Sequence, residues 1–319
     1  MSPPALPWIK QVVGLENAPF NYLKLPMDQP VSTRSGNNTS SSQFMAHCVK
    51  ALKEKKLVLP TIPDISLKIR RAISDPKANN NRIAKVVQMD PVITARLIQI
   101  SNSPLYRGRR RIESCPEALT RLGLKVAQHL ITSFAMKTVF KAKTRFIKKR
   151  MDDLWHHSSY VAAISAVLAH KTPGFDPDRA MLAGLVHDIG AVPVLTFADA
   201  HIDLITEPRD LDRTISRLRG PVGAAIMKHW HFPDDFKEVV LNAEDWLRNP
   251  SPQPDYVDIV IVSQLHSFVS TPQIHKYPRI DEIPAYHKLM AGHLDTDTSM
   301  GILETAREEI WQIQQMLTR

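Results

Sequence analysis

The chain has 319 residues, 43% hydrophobic and 23% charged, the composition of an ordinary globular protein with room for two domains and a sizeable core. Two cysteines far apart, Cys48 and Cys115, exclude a disulfide framework and a cysteine-paired zinc site, and fit a reducing cytoplasm. The first residues have no basic-then-apolar signal pattern, and nothing reaches the ~18 consecutive apolar residues of a membrane span.

Residues 1–45 read as an extension. Prolines are frequent there, and Ser32 to Gln43, "STRSGNNTSSSQ", is too polar to offset its ordering entropy. A flexible linker is expected, with a loosely docked piece around Trp8 to Leu25. From Met45 onward the pattern is helical. Ile65, Ile69, Ala72 and Ile73 share one helical face, and Asn81 is the expected cap of a short helix carrying Ile83, Val86 and Val87. Asp90-Pro91 starts the next helix, which carries Ile93, Leu97 and Ile100. Ser114 to Glu117 has capping-box spacing, and Gly123 ends that short helix. A longer helix follows through Val126, Leu130, Ile131 and Phe134. Asp176-Pro177 opens a helix running to His187, Pro233 opens another, and residues 256–269 and 299–317 read as two more. No strand alternation or 20–50-residue repeat is visible. The fold expected is all-α in two helical subdomains, residues 46–150 and 151–319.

The net charge of +9 is localised. Residues 118–151 hold nine of the 41 Lys and Arg and no acid, which leaves 32 basic against 32 acidic residues elsewhere. Within this block, Lys137 to Arg150 reads as an amphipathic helix connecting the two halves. Just before it, "RGRRRI" places Arg107, Arg109, Arg110 and Arg111 in a loop. Guanidinium groups suit phosphate or carboxylate recognition, so these four are candidate anion-binding residues; the alternative is a solvated loop. Neither a Gly-rich phosphate loop nor a nucleophile elbow occurs.

The chemistry-bearing stretch is Gly184 to Leu195, "GLVHDIGAVPVL", which sets His187-Asp188 inside an apolar run. A buried carboxylate needs a metal or hydrogen-bonding partners. Adjacent His and Asp at a helix end can reach one cation if the chain turns there, and Gly190 permits a turn. A second imidazole is then required, and His157 in "LWHHSSYVAAISAVLA" is the candidate.

These segments resemble a known family. "LWHHS", "AMLAGLVHDIG" and "GAAIMKHWHFPDDF" are similar to the HD superfamily of metal-dependent phosphohydrolases. With "LPTIPDISLKI", "VVQMDPVITARLIQISNSPLYRG", "IESCPEALTRLG" and "HLITSFAM" upstream, residues 47–318 resemble its HDOD branch, the HD-related output domain of bacterial signalling proteins. The resemblance implies an HD-like C-terminal half and a metal-ligand pattern of one His, a His-Asp pair and a later Asp. His157, His187 and Asp188 match it; Gln264 stands at the last position. Ala191 follows "HDIG" where the cyclic-dinucleotide phosphodiesterase branch has Lys, and Asn242-Ala243-Glu244 stands where that branch has His-His-Glu.

The remaining two-His, one-carboxylate set is one that transition metals accept, or else a buried polar network. The resemblance therefore implies first a non-catalytic regulatory module without cofactor, which binds a signalling protein or a small ligand. The binding place expected is a cleft near His157, His187, Asp188, Gln264, Asn242 and Glu244. The alternative is a phosphohydrolase acting on a nucleotide or cyclic dinucleotide, with a divalent transition metal at His157, His187 and Asp188. A third reading, from the basic segment, is a nucleic-acid-associated regulator.

Overall fold

A computed structural model describes residues 39–75, 78–205, 207–269, 271, 274–290 and 306–318. Its helices are α1 Thr39–Lys53, α2 Asp64–Ser74, α3 Asn80–Val87, α4 Pro91–Ser101, α5 Cys115–Leu122, α6 Leu124–Met136 and α7 Arg145–Lys171. They continue as α8 Pro177–Val186, α9 Ala191–Ala200, α10 Pro208–His229, α11 Asp234–Asn242, α12 Tyr256–Phe268, α13 Pro284–Met290 and α14 Arg307–Thr318. No strand occurs among the described residues, so the all-α expectation holds.

Local chemistry sets most helix starts. Asp90 accepts from the Ile93 N–H at 3.0 Å, Ser114 from the Glu117 N–H at 3.4 Å, and Asp176 from the Asp178 N–H at 3.0 Å. Each satisfies a donor that the first helical turn leaves unpaired. The cap of α3 is Asn79, two residues before the expected Asn81; it accepts from the Arg82 N–H at 2.9 Å.

Two expectations about connections change. The supposed helix over Lys137 to Arg150 is interrupted: a single 3₁₀ turn covers Lys137–Val139, and α7 begins only at Arg145. Asp199 holds the break open by accepting from the N–H groups of Lys143 at 2.7 Å and Thr144 at 2.9 Å. Of the extension 1–45, residues 1–38 lie outside the described residues, whereas Thr39 to Gln43 of the expected linker belong to α1.

The chain forms two compact units, each assembled from separate stretches of the sequence. One unit comprises residues 1–60, 141–151 and 188–242. In it α10 packs against α1, α9 and α11. Phe44 of α1 is fully buried and meets Phe197 of α9 with ring centroids 5.9 Å apart. Trp230, at the end of α10, donates its indole N–H to the Pro60 carbonyl at 2.9 Å.

The other unit comprises residues 61–140, 152–187 and 243–319. Its central helix is α12, buried at every residue from Val257 to Ser267. A helix enclosed this way carries apolar side chains on every face, and its buried polar residues, Asp258, Ser263 and Gln264 among them, meet partners inside the protein. Each fully buried Ile, Val or Leu there contributes roughly 1.5–3 kcal/mol. Helices α8 and α13 pack on α12, and α6 packs against α2, α4 and α8. Gly184 of α8 has no room for a side chain, since a Cβ would come 2.7 Å from Ser165 Oγ and 2.9 Å from Ala162 Cα of α7. The stretch Pro177–Ala200 is long and apolar enough to span a membrane, but 89% of its most apolar window is buried in the fold.

Candidate metal centre

The His-Asp pair occupies the turn between α8 and α9, residues 187–190. Hydrogen bonding there shortens: the Ala191 N–H donates to Asp188 O at 2.9 Å and the Val192 N–H to Ile189 O at 3.1 Å. This 3₁₀-type winding redirects the chain without leaving helical dihedrals. Gly190 lies in the expected turn with an ordinary helical φ of −67°. Its requirement is space: a Cβ would overlap the Arg219 carbonyl oxygen and lie 2.5 Å from Gly223 N. Gly190 lets the turn sit directly on the backbone of α10.

His187 is 1% exposed, and its Nδ1–H donates to the Gly184 carbonyl at 2.7 Å. A carbonyl can only accept, so the proton belongs on Nδ1 and the Nε2 lone pair is the ligand-ready one. The His157 ring lies 5.2 Å from the His187 ring at 67°. Asp188 follows His187 directly and is 7% exposed. One ligand atom from each of His157, His187 and Asp188 lies within 4.8 Å of the others, so this group could hold a metal ion.

Two observations limit that ion. Arg219 of α10 donates to Asp188 Oδ1 at 2.7 Å, with both side chains nearly buried, 13% and 10% exposed. A guanidinium already compensates the one carboxylate of the set, and its charge opposes that of an incoming cation. Gln264 is 1% exposed and its amide N–H donates to the Ala243 carbonyl at 2.6 Å, so it braces the chain after α11. Among the described residues the donors make one group of three, a set that a single transition-metal ion accepts.

The remaining expected residues lie as follows. Asn242 is buried and donates to Glu238 O at 2.8 Å and Glu238 Oε2 at 3.1 Å. Glu244 is exposed. Asp258, on the same helix as Gln264, is fully buried and faces Lys288 at 2.7 Å and Arg248 at 3.6 Å. It also accepts from the Asp255 N–H at 3.0 Å, closing the capping box of α12. Burial raises its pKa above the ordinary value, against the lowering effect of Lys288. Asp258 is paired with cations within its own unit.

Arg107, Arg109, Arg110 and Arg111 are all exposed. Arg110 pairs with Glu117 at 3.4 Å. The basic block of residues 118–151 is partly consumed inside the protein. Arg121 donates to the Ser101 and Arg110 carbonyls, Lys137 to the Thr318 carbonyl, and Arg150 pairs with Asp212.

Two features escaped the sequence reading. Arg219 flanks the buried stripe Leu211, Thr214, Leu218 and Val222 of α10; an arginine beside such a stripe and next to Gly-Pro was the available signal. Beside His157 runs an aromatic stack: Phe268 lies 5.4 Å from His157 and 4.3 Å from Tyr277, nearly parallel in both cases. Its members come from separate segments, and no local pattern announces it.

The chain is similar to several known proteins. A structure from Shewanella amazonensis SB2B, provisionally named a metal-dependent phosphohydrolase, is 26% identical with a TM-score of 0.75, covering 88% of this chain and 99% of that one. An HDOD domain protein of unknown function from Geobacter sulfurreducens is 25% identical with a TM-score of 0.59, covering 88% and 96%. An uncharacterized protein of Treponema pallidum (strain Nichols) is 25% identical over 190 residues, 55% of this chain and 36% of that protein's length. The model of the HDOD domain matches residues 59–246, more than half of the sequence, and the chain belongs to the HDOD family.

Proposed function

We propose that this protein is a regulatory HDOD module that does not hydrolyse phosphate esters and acts by binding a signalling protein or a small ligand. The observation that carries the reading is the Asp188–Arg219 pair at 2.7 Å. The only carboxylate of the HD ligand set has a permanent cationic partner supplied by the protein itself. Gln264, at the last position of the set, is occupied with the Ala243 carbonyl. The proposed setting is the cytoplasm, supported by two free, buried thiols, Cys48 and Cys115, which burial pushes up to about 12 and about 11.

A second reading rests on the three donors within 4.8 Å of one another. A divalent ion bound there would acidify a coordinated water and neutralise phosphate oxygens. His157, His187 and Asp188 would hold it, and the Nδ1 bond to Gly184 O would orient His187. The nucleic-acid reading draws on the same basic segment that spends Arg121, Lys137 and Arg150 internally.

Elemental analysis of untagged protein prepared without chelators, beside the His187→Ala variant, separates the first two readings. The regulatory module is expected to carry well under one transition-metal ion per chain and to leave an activated phosphodiester intact. A stoichiometric metal lost in His187→Ala, together with turnover lost in the same variant, would establish the hydrolase instead.

A further inference from the structure

A cavity of about 820 Å³ opens in the second unit, between α4, the arginine loop and α14. It is lined only by residues of that unit and includes none of the His-Asp group. Its volume lies in the range of small-molecule sites, with a predominantly apolar lining and a few polar groups.

The polar groups are specific. Ser103 is 7% exposed, and its Oγ lies buried on the cavity wall with no hydrogen-bond partner among the described residues. A buried hydroxyl left unpaired is costly, and a ligand in the cavity would satisfy it. Trp311 of α14 is 50% exposed, a large apolar ring left facing solvent at the cavity edge. Arg111 and Glu113 line the same space, and neither makes an ion pair among the described residues. The amides of Gln99 and Gln315 complete the lining.

The arginine loop is held in place beside the cavity. Asn102 donates to the Ile112 carbonyl and accepts from the Ile112 N–H, both at 2.8 Å, which fixes the flanks of Ile112, Arg111 and Glu113. Arg121 ties the loop to the end of α4 by donating to the Arg110 carbonyl and, at 3.1 Å, to the Ser101 carbonyl. The lining is thus pre-organised, which lowers the ordering cost of binding.

We infer that this cavity is a binding site for a purine ribonucleoside monophosphate. Each part of that ligand has a matching group. An indole face takes a flat base by stacking, which every base supports. Side-chain amides and a hydroxyl bond the base edge. A carboxylate accepts from ribose hydroxyls, as acidic residues do in dinucleotide sites. A single guanidinium without an acidic partner fits one phosphate group. Among the four loop arginines, Arg111 is the one assigned to the anion; Arg110 is committed to Glu117. The site is independent of the His-Asp group and of whether that group holds a metal.

Calorimetric titration of the full chain with AMP, GMP, CMP, adenosine and inorganic phosphate tests the inference. The expected result is one-to-one binding of AMP or GMP below about 1 mM, with adenosine and phosphate each at least about tenfold weaker. Trp311→Ala is expected to weaken the purine nucleotides about fivefold or more. Arg111→Ala is expected to weaken AMP while leaving adenosine unchanged. Ser103→Ala, a small change in a folded wall, should weaken AMP without altering the melting temperature. Absence of nucleotide binding up to about 1 mM overturns the inference. So does binding that survives both Trp311→Ala and Arg111→Ala but is lost in His157→Ala, which would put the nucleotide at the His-Asp group.

Discussion

Two buried carboxylates, Asp188 and Asp258, look alike by burial and by a cation at 2.7 Å, yet their surroundings differ. Asp258 is fully enclosed, closes the capping box of α12 and has both Lys288 and Arg248 beside it. Every neighbour it has is part of holding α12 and α13 together. Asp188 has one guanidinium and follows an imidazole whose Nε2 is configured as a ligand. The first arrangement is a closed clamp. The second is a polar group with one carboxylate and two imidazoles, in which Arg219 pairs with the carboxylate. Burial alone does not distinguish structure from chemistry; the identity of the remaining neighbours does.

The clamp should break hardest. Lys288→Ala removes the closer cation from a fully buried Asp258 and is expected to cost about 3–5 kcal/mol, read as a large drop in melting temperature. Lys288→Ala with Asp258→Asn should recover much of that loss; if the double variant melts no higher than the single, the clamp does not work through charge. Gly190→Ala comes next, at about 3 kcal/mol, because the added methyl meets the backbone of α10 and not a movable side chain. Chemical denaturation of Gly190→Ala and, as control, of Ala191→Gly reads this difference.

Arg219→Met should cost about 2–3 kcal/mol, less than the clamp, since both members of the pair keep some exposure, 13% and 10%. It sharpens the comparison by a second readout: freed of its guanidinium, Asp188 should bind a divalent transition metal more tightly than in the unaltered protein. Equal or weaker metal uptake in Arg219→Met would show that the arginine does not compete with a cation.

A third buried carboxylate supplies the smallest effect. Asp178 has no cation beside it among the described residues; it accepts from the Tyr106 hydroxyl, and burial pushes its carboxyl up to about 7. The folded state then keeps a proton that the unfolded chain releases, so this stabilisation is full below pH 3.8 and is lost as pH rises through about 7. His266 acts in the opposite direction: burial pushes its imidazole down to about 4, so its contribution is full above pH 6.5 and is lost as pH falls through about 4. The two slopes offset one another in the unaltered protein. Asp178→Asn is expected to expose the histidine slope, with stability between pH 7 and 4 falling about 2 kcal/mol further than in the parent. Melting curves across that range decide it; parallel curves would mean that Asp178 is ionised in the folded state.

The sequence was most informative where the physics is local. Asp90, Ser114 and Asp176 announce their helices because a cap acts within three residues. Asn79 was misplaced by two residues because three consecutive asparagines, 79 to 81, all satisfy the same rule. The break before α7 was hidden because the carboxylate that stabilises it, Asp199, lies 55 residues further on. At the candidate site, His157, His187 and Asp188 could be brought together from family resemblance, and the structure does bring them together. Arg219, which pairs with Asp188, was not found: its partner is 31 residues away, and its place beside the buried stripe of α10 names no partner.

The enclosure of α12 makes it a built-in gauge for the whole protein. With no residue from Val257 to Ser267 reaching solvent, its amide protons exchange with deuterium only when the second unit opens as a body. A ligand that binds the folded unit and not its open form slows that exchange by a factor of one plus the ratio of free ligand concentration to Kd, wherever on the unit it sits. Mass-resolved deuterium uptake over this one peptide therefore reports binding of metal, nucleotide or partner alike, on a single scale and without a label.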